Sequence, residues 1–161
     1  MSPEHLSILV VDDNAFTRKL VRSMLRQVPV SEIVDLDNAE DALALIRTRH
    51  FDAVLMDWFM PDMGGEAFLL SVGGMRGPGW LAPPVMIMTA HAKRRVVLKA
   101  ARLGAHAVLA KPLSVAILRS RIFGVLNDPA TGDRHDGTEP AGAGPESVPL
   151  DVDLDPGQIL L

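Results

Sequence analysis

Four short apolar runs, each followed at once by a polar residue, constrain the fold of this chain more than any other feature. The runs and the residues that follow them are Ile8–Val11 with Asp12 and Asp13, Ala53–Met56 with Asp57, Val85–Met88 with Thr89, and Ala107–Ala110 with Lys111. Runs of this length and composition are typical of buried strands in a parallel sheet. Parallel strands end at one edge, where open α/β sheets bind their ligands, so these polar residues predict one site.

The residue types at this edge predict a metal ion beside an anion. Asp12, Asp13 and Asp57 would repel one another unless a cation lies among them, which favours a hard metal with oxygen ligands. The hydroxyl of Thr89 and the ammonium of Lys111 suit an anion next to that metal. Each residue is a weak signal when taken alone, because an Asp after an apolar run is usually a turn residue or a helix cap. Their joint order predicts the site.

Segments with helical periodicity alternate with the apolar runs through residues 1–126, which we interpret as one domain. Strict alternation of strands and helices predicts the α/β class, with a flavodoxin-like, doubly wound, five-stranded parallel sheet and five helices. Asn38 and Ser114 are predicted N-caps. In the first helix, Phe16, Leu20, Val21 and Met24 recur at helical spacing, and the apolar side formed by Phe16, Leu20 and Met24 is expected to face mainly the core.

Residues 127–161 have a different composition and are predicted to form a disordered, flexible tail. They are rich in Pro and Gly and carry eight acidic residues against one basic residue. Residues 127–149 contain too few bulky apolar side chains to offset the entropy of ordering the chain. The apolar end of the tail leaves an alternative open, because Val148–Asp155 alternates apolar and acidic residues and the chain ends in Ile159-Leu160-Leu161. A segment of this kind can also add to a sheet edge or dock in a groove.

Composition excludes several classes of protein. The chain has no cysteine, so disulfides and thiolate metal sites are ruled out. Its apolar stretches are shorter than a membrane helix needs, and its N-terminus lacks the pattern of a secretory signal, so we expect a soluble, cytoplasmic protein without membrane association. Residues 1–126 have a slightly basic balance, far below the charge density of a nucleic-acid-binding protein, so direct binding to nucleic acid is not expected.

The order and spacing of these residues resemble the receiver domain of bacterial response regulators in two-component systems. The acidic pair Asp12-Asp13, then Asp57, Thr89 and Lys111 followed by Pro112 occur at suitable spacing, and the segment Met56–Gly65 is especially similar to that family. The resemblance covers about residues 5–126 and is closest in kind to stand-alone regulators of the chemotaxis type. No helix-turn-helix pattern follows these residues, so we expect output by protein–protein contacts rather than DNA binding.

The resemblance implies a role for each residue of the site. Asp57 would be the phosphoacceptor, taking a phosphoryl group from a histidine kinase or a histidine phosphotransfer protein. Mg²⁺ would be bound by Asp13 and Asp57 directly, by Asp12 through a water, and by the backbone carbonyl of Phe59. Thr89 and Lys111 would bind the phosphoryl oxygens. Pro112 would position the loop that aims Lys111, with a cis Lys111–Pro112 bond as one way of doing so.

Three residues bear on how such a protein switches and how long it stays phosphorylated. Val108 occupies a position where many receivers have Tyr or Phe, so either the output mechanism differs or Val108 has no signalling role. Phe59 is too bulky to orient an attacking water, which predicts slow dephosphorylation. His91 either holds a water or accepts a phosphoryl group, or is a partly exposed residue at a helix start.

Competing functions differ in what they require at these positions. A phosphatase of the haloacid dehalogenase type needs a second Asp two residues after its nucleophile, where this chain has Phe59, so we expect no enzyme activity beyond self-phosphorylation and slow dephosphorylation. A nucleotide-binding fold would need a Gly-rich turn after the first strand. The alternative that stays open is a receiver-like binding module that signals without phosphate. A diffusible switch and a phosphorelay are equally compatible with the sequence, as are a monomer and a weak homodimer.

Overall fold

The computed structural model of this chain describes residues 5–75, 77–128 and 158–160. Strands and helices alternate along these residues. The strands are β1 Leu6–Val11, β2 Val30–Leu36, β3 Ala53–Asp57, β4 Val85–Thr89, β5 Ala107–Ala110 and β6 Gln158–Leu160. The helices are α1 Ala15–Leu25, α2 Ala39–Thr48, α3 Gly65–Gly74, α4 Arg94–Arg102 and α5 Val115–Leu126.

All six strands belong to one sheet with the order β2-β1-β3-β4-β5-β6. The first five strands are parallel, and β6 pairs with β5 in the antiparallel direction. Helices α1 and α5 pack on one face of the sheet, whereas α2, α3 and α4 pack on the other. The predicted doubly wound architecture, with five parallel strands and five helices, is therefore confirmed.

The central strands are buried on both faces, which explains why they are continuous apolar runs rather than alternating ones. Every residue of β3 and β4 is buried, including Asp57 and Thr89 at their carboxyl ends. One face contributes Val10, Leu55 and Met88 to the core beneath α1 and α5. Burial on both sides fixes the register of these strands, because a slip by one residue would exchange the two faces. The site at their ends is thus built on rigid elements.

Side-chain caps fix where three of the helices begin. The side-chain oxygens of Asn14, Asn38 and Ser114 accept hydrogen bonds from backbone N–H groups three residues later, at 3.0, 2.8 and 3.2 Å. The caps predicted at Asn38 and Ser114 are therefore confirmed. Among the described residues, no helix combines the length and the apolar character that crossing a bilayer requires.

Helix α1 differs from its prediction, because two of the residues expected to face the core are exposed. Val21 and Leu25 are buried, but Phe16 is 74% and Leu20 is 42% exposed. The apolar residues of α1 cover a wider arc than the sheet can bury, and the i, i+4 pair Val21 and Leu25 occupies the buried side. Phe16 and Leu20 therefore form an apolar surface on the first turns of α1, close in sequence to Asp13.

The tail contributes a strand that the sequence indicated only as an alternative. Gln158, Ile159 and Leu160 pair with Leu109, Val108 and Ala107, so β6 covers the outer edge of β5. Helix α5 ends at Leu126, where the domain was predicted to end. Residues 129–157 lie outside the described residues, so the flexible tail expected there stays a prediction, as does the division of the chain at residue 126.

Candidate functional site

The predicted polar residues all lie at the carboxyl edge of the sheet. Asp12 follows β1, Asp57 and Thr89 end β3 and β4, and Lys111 follows β5. The parallel register brings them side by side, since Val11 pairs with Met56, and Thr89 pairs with Ala110. The order β1-β3-β4-β5 therefore places two acidic groups, a hydroxyl and an ammonium along one rim, as the sequence predicted.

Three carboxylates form the centre of this rim. Asp12, Asp13 and Asp57 each offer an oxygen, and these atoms all lie within 4.8 Å of one another. Asp12 is fully buried and Asp57 is 7% exposed, whereas Asp13 is exposed. A set made only of carboxylate oxygens, open to solvent on one side, fits a divalent metal such as Mg²⁺, which keeps several waters.

Lys111 links two of the three carboxylates. Its Nζ lies 2.9 Å from Oδ2 of Asp12 and 3.2 Å from Oδ1 of Asp57. Its backbone N–H donates to the carbonyl of Thr89 at 2.8 Å, which holds the start of the β5–α5 loop against the end of β4. The ammonium thus lies within the cluster, where it forms ion pairs with two buried carboxylates.

The pKa values of this pair reflect competition between burial and charge. Burial raises the pKa of Asp57 above the ordinary value of an aspartate, and repulsion by Asp12 adds to this, while Lys111 opposes the rise. Burial acts to lower the pKa of Lys111, but its hydrogen bond to Asp12 and the attraction of Asp57 and Asp12 outweigh burial and raise it. Lys111 is therefore firmly cationic at neutral pH, and Asp57 has an unfavourable negative charge that a second cation would relieve.

Asp12 is fixed by contacts that the sequence analysis missed. Its Oδ1 accepts from the N–H of Asn14 at 2.9 Å, and its backbone carbonyl accepts from Nη1 of Arg18 at 2.8 Å. Asp35 of β2 holds Arg18 at 3.1 Å and Arg22 at 2.6 Å. Arg18 is therefore a paired residue that ties α1 to the loop containing Asp12 and Asp13. The i, i+4 spacing of the two arginines was the available signal, but only the fold shows that Asp35 faces them.

The loop after Asp57 packs closely on the backbone of Trp58. The N–H of Trp58 donates to the carbonyl of Met88, and its own carbonyl accepts from the N–H of Gly65 at 3.0 Å. A Cβ on Gly64 would lie 2.7 Å from the Trp58 carbonyl oxygen. Glycine is required there by close approach, and the tight loop determines where Phe59, two residues after Asp57, presents its backbone.

Phe59 and His91, the residues predicted to control access of water, lie next to each other. Their rings meet edge to face with centroids 6.4 Å apart, and Phe59 is 57% exposed. His91 precedes α4, which begins at Arg94, and it is exposed. Its backbone N–H donates to Oγ1 of Thr89 at 3.1 Å, which leaves the buried Thr89 hydroxyl able to donate its own proton.

The remaining predicted residues lie in or next to β5. Val108 is fully buried in the core, where it pairs with Ile87 of β4 and faces α4 rather than the site. The Lys111–Pro112 peptide bond is cis. The structure therefore brings Asp12, Asp13, Asp57 and Lys111 into one cluster, with Val108 in the strand that leads to it.

Comparison with known proteins agrees with this arrangement. Residues 8–123 match the family described as the response regulator receiver domain. The chain belongs to this family. It is 31% identical to chemotaxis protein CheY-3 of Vibrio cholerae over 74% of this chain and 90% of that protein. It is also 31% identical to chemotaxis protein CheY of Pseudomonas aeruginosa, over 73% of this chain and 93% of that protein.

Solved structures of receivers have the same fold. Chemotaxis response regulator CheY4 of Vibrio cholerae is 25% identical, with a TM-score of 0.66 over 75% of this chain and 98% of that one. The receiver domain of sensor histidine kinase PA1611 from Pseudomonas aeruginosa, solved with a magnesium ion in its active-site cleft, is 22% identical. Its TM-score is 0.68 over 77% of this chain and 99% of that one. This receiver domain of two-component signalling thus has the five-stranded parallel sheet of its family.

Proposed function

We propose that Asp57 is the phosphoacceptor of this receiver, and that the group it accepts comes from a phosphohistidine on a kinase or a phosphotransfer protein. The observation that carries the proposal is the cluster itself, in which Lys111 lies within 3.2 Å of both Asp12 and Asp57 at the carboxyl edge of the sheet. A structural ion pair would need one carboxylate for one ammonium. Three clustered carboxylates, only two of which contact the ammonium, leave negative charge that suits a metal ion and then a phosphoryl group.

The transfer requires few changes in covalent bonding. A carboxylate oxygen of Asp57 attacks phosphorus, the P–N bond to the imidazole breaks, and the leaving nitrogen takes the electron pair and picks up a proton. The product is an acyl phosphate on Asp57 and a neutral histidine on the donor. Positioning and neutralisation of charge provide most of the catalysis in such a step, because the transition state is loose and the bonds to both the entering and the leaving atom are weak.

The chain's own residues divide the work of neutralising and orienting the phosphoryl group. The ammonium of Lys111 hydrogen-bonds the Asp57 carboxylate, so it is positioned to pair with a phosphoryl oxygen once Asp57 carries the phosphoryl group. The Thr89 hydroxyl, whose oxygen already accepts from His91, retains a proton to donate to another oxygen. Asp12 has both carboxylate oxygens engaged, by Asn14 and Lys111, which supports a metal contact through water rather than a direct one.

Mg²⁺ is the proposed cofactor, with Asp13, Asp57 and the backbone carbonyl of Phe59 as direct ligands and Asp12 as an indirect one. When bound, it supplies positive charge that shields the attacking carboxylate from the incoming phosphoryl oxygens. Asp13 is exposed at the rim, whereas Asp57 is only 7% exposed. An ion held between them would have protein oxygens on its inner side and solvent on its outer side. Such an open arrangement suits an ion that retains several waters.

Slow loss of the phosphoryl group follows from the residues above the site. The phenyl ring of Phe59, which has no hydrogen-bonding group to orient a water for attack on phosphorus, meets the ring of His91 edge to face. We therefore propose that this receiver catalyses its own phosphorylation and only slow dephosphorylation. Pro112 contributes by fixing the loop that begins at Lys111.

Partner binding is proposed to begin on α1. The exposed apolar side chains of Phe16 and Leu20 lie on the helix that follows Asp13, so a kinase or phosphotransfer helix that docks there would reach the acidic cluster. Apolar residues exposed in this way are typical of protein-binding surfaces. We propose protein–protein output, no direct nucleic-acid contact, and a monomer or a weak homodimer. The cytoplasmic location stays a prediction.

Acetyl phosphate tests the proposal without knowledge of the natural donor. The purified chain is incubated with acetyl phosphate and Mg²⁺, and its intact mass is followed with time. We expect one phosphoryl adduct, lost in EDTA and in Asp57→Asn. The matched control is Asp62→Asn, which removes a carboxylate from the same loop outside the acidic cluster and should leave the adduct unchanged. A folded chain that takes up no phosphoryl group from either acetyl phosphate or a phosphorylated histidine donor would favour the phosphorylation-independent binding module.

A further inference from the structure

The two edges of the sheet are protected in different ways. Strand β2, at one edge, carries Glu32 and Asp35, both engaged in ion pairs with arginines. Charged residues of this kind discourage another strand from pairing with an edge. Strand β5 has the sequence Ala-Val-Leu-Ala, without any charge or proline, and Ala107, Val108 and Leu109 are fully buried. Without a neighbour, the outer backbone of β5 would be an unprotected edge.

The chain's own C-terminal segment covers that edge. Strand β6, Gln158–Leu160, pairs with three of the four residues of β5 in the antiparallel direction. It begins opposite Leu109 and ends opposite Ala107, so a connection from the end of α5 need span only about the length of one short strand. The 31 residues between α5 and β6 exceed that distance several times over, which makes pairing within one molecule sterically undemanding.

A three-residue strand at the end of a long connection is suited to leaving as well as to binding. Three residues of pairing bury little surface, and a tethered segment is held in place mainly by its high effective concentration. A partner that offers a longer extended segment can compete for the same backbone groups. Strand addition of this type takes its affinity from main-chain hydrogen bonds and its specificity from alternate side chains. The chain's own segment at this edge includes Ile159 and Leu160, so the occupant that fits is an apolar one.

We propose that Gln158–Leu160 is an intramolecular cap on the β5 edge, and that this edge is a docking surface for an extended, apolar segment of a partner protein. The partner's segment pairs with β5 only after the cap has left. The proposal concerns an edge of the sheet that the phosphoacceptor chemistry does not use, and it is tested without any phosphodonor.

Hydrogen exchange on the full chain is the first test. The double variant Ile159→Pro/Leu160→Pro removes two neighbouring backbone N–H donors, so it disrupts β6 whichever of them faces β5. Its matched control, Leu150→Pro/Val152→Pro, likewise replaces two aliphatic residues of the tail by proline, but outside β6. We expect amides of β5 to exchange severalfold faster in the first variant only, with β1 and β3 unchanged as a check of folding. Equal exchange of β5 in the intact chain and the first variant would overturn the proposal.

A peptide with the sequence of residues 148–161, labelled with a fluorophore, provides the second test. We expect it to bind the Ile159→Pro/Leu160→Pro variant severalfold more tightly than the intact chain or the control variant, because only that variant has a free edge. Equal binding to all three proteins, or no binding to any, would refute a capped docking edge. Protection of β5 that rises with protein concentration, together with a dimer in light scattering, would refute the intramolecular cap and identify a second copy as the occupant.

Discussion

Replacing Lys111 by methionine tests whether its ammonium holds the acidic cluster together. The ammonium contacts Asp12 at 2.9 Å and Asp57 at 3.2 Å, and both carboxylates are nearly or fully buried. Removing one partner of a buried ion pair costs about 3–5 kcal/mol. Lys111 itself is 22% exposed, and solvent therefore screens part of the interaction. We expect Lys111→Met to lower the free energy of unfolding by about 2–3 kcal/mol in EDTA.

The matched control is Lys99→Met, which removes an ion pair from the surface. Lys99 contacts Glu66 at 2.7 Å, but the two side chains are 50% and 47% exposed. An exposed pair of this kind contributes about 0–1 kcal/mol, so the control should unfold nearly as the native chain does. Both variants replace a lysine by an uncharged methionine of similar length. They differ in how far the lost ion pair is buried.

Urea unfolding with and without Mg²⁺ measures both effects. In Lys111→Met, Mg²⁺ should restore most of the lost stability, because a second cation takes over the neutralisation of Asp12 and Asp57. The raised pKa of Lys111 means that its stabilising charge is present at neutral pH and is lost only as the pH rises through that raised value. The deficit of the variant should therefore be the same at pH 6 and pH 8. The reasoning is refuted if Lys111→Met is as stable in EDTA as Lys99→Met.

Three further predictions concern the site and its loop. Gly64→Ala places a Cβ 2.7 Å from the Trp58 carbonyl oxygen and should cost about 1–3 kcal/mol in urea unfolding; its control, Gly124→Ala in the open interior of α5, should stabilise the chain by about 1 kcal/mol. Asp57→Asn should raise Tm in EDTA by roughly 3 °C at pH 7. The reason is that burial, together with Asp12, raises the pKa of Asp57, so its charge lowers stability as the pH rises above the unfolded-state value; an increase that persists unchanged at pH 3 would contradict this cause. Phe59→Asn should shorten the lifetime of the phosphorylated chain severalfold in a mass time course, and an unchanged lifetime would contradict the steric role of Phe59.

The edge of the sheet could be predicted from sequence because each functional residue directly follows a buried strand. Strand register alone fixes the positions of Asp12, Asp57, Thr89 and Lys111. The apolar runs show where each strand lies, so they also show which residue comes at its carboxyl end. The helix caps at Asn38 and Ser114 were equally local, since a cap depends on residues three positions apart. Local patterns of this kind contained most of the information about the fold.

The features that escaped prediction depend on distances between elements. Arg18 reaches both Asp35 and the Asp12 carbonyl only because α1 crosses β2, and no local pattern specifies that crossing. Phe16 fits the helical apolar period as well as Val21 does, and only the width of the sheet beneath α1 leaves Phe16 exposed. Strand β6 could be indicated only as an alternative, because three residues are too few for periodicity to distinguish a strand from an apolar chain end.

Locating the phosphoryl group is the measurement that tests the central claim most directly. The chain is phosphorylated with acetyl phosphate and Mg²⁺, digested, and mapped by tandem mass spectrometry alongside the Asp57→Asn variant. We predict one acyl phosphate, on the peptide that contains Asp57, with no phosphorylated peptide from the variant or from samples in EDTA. A phosphoryl group on His91, or on any residue other than Asp57, would contradict the account.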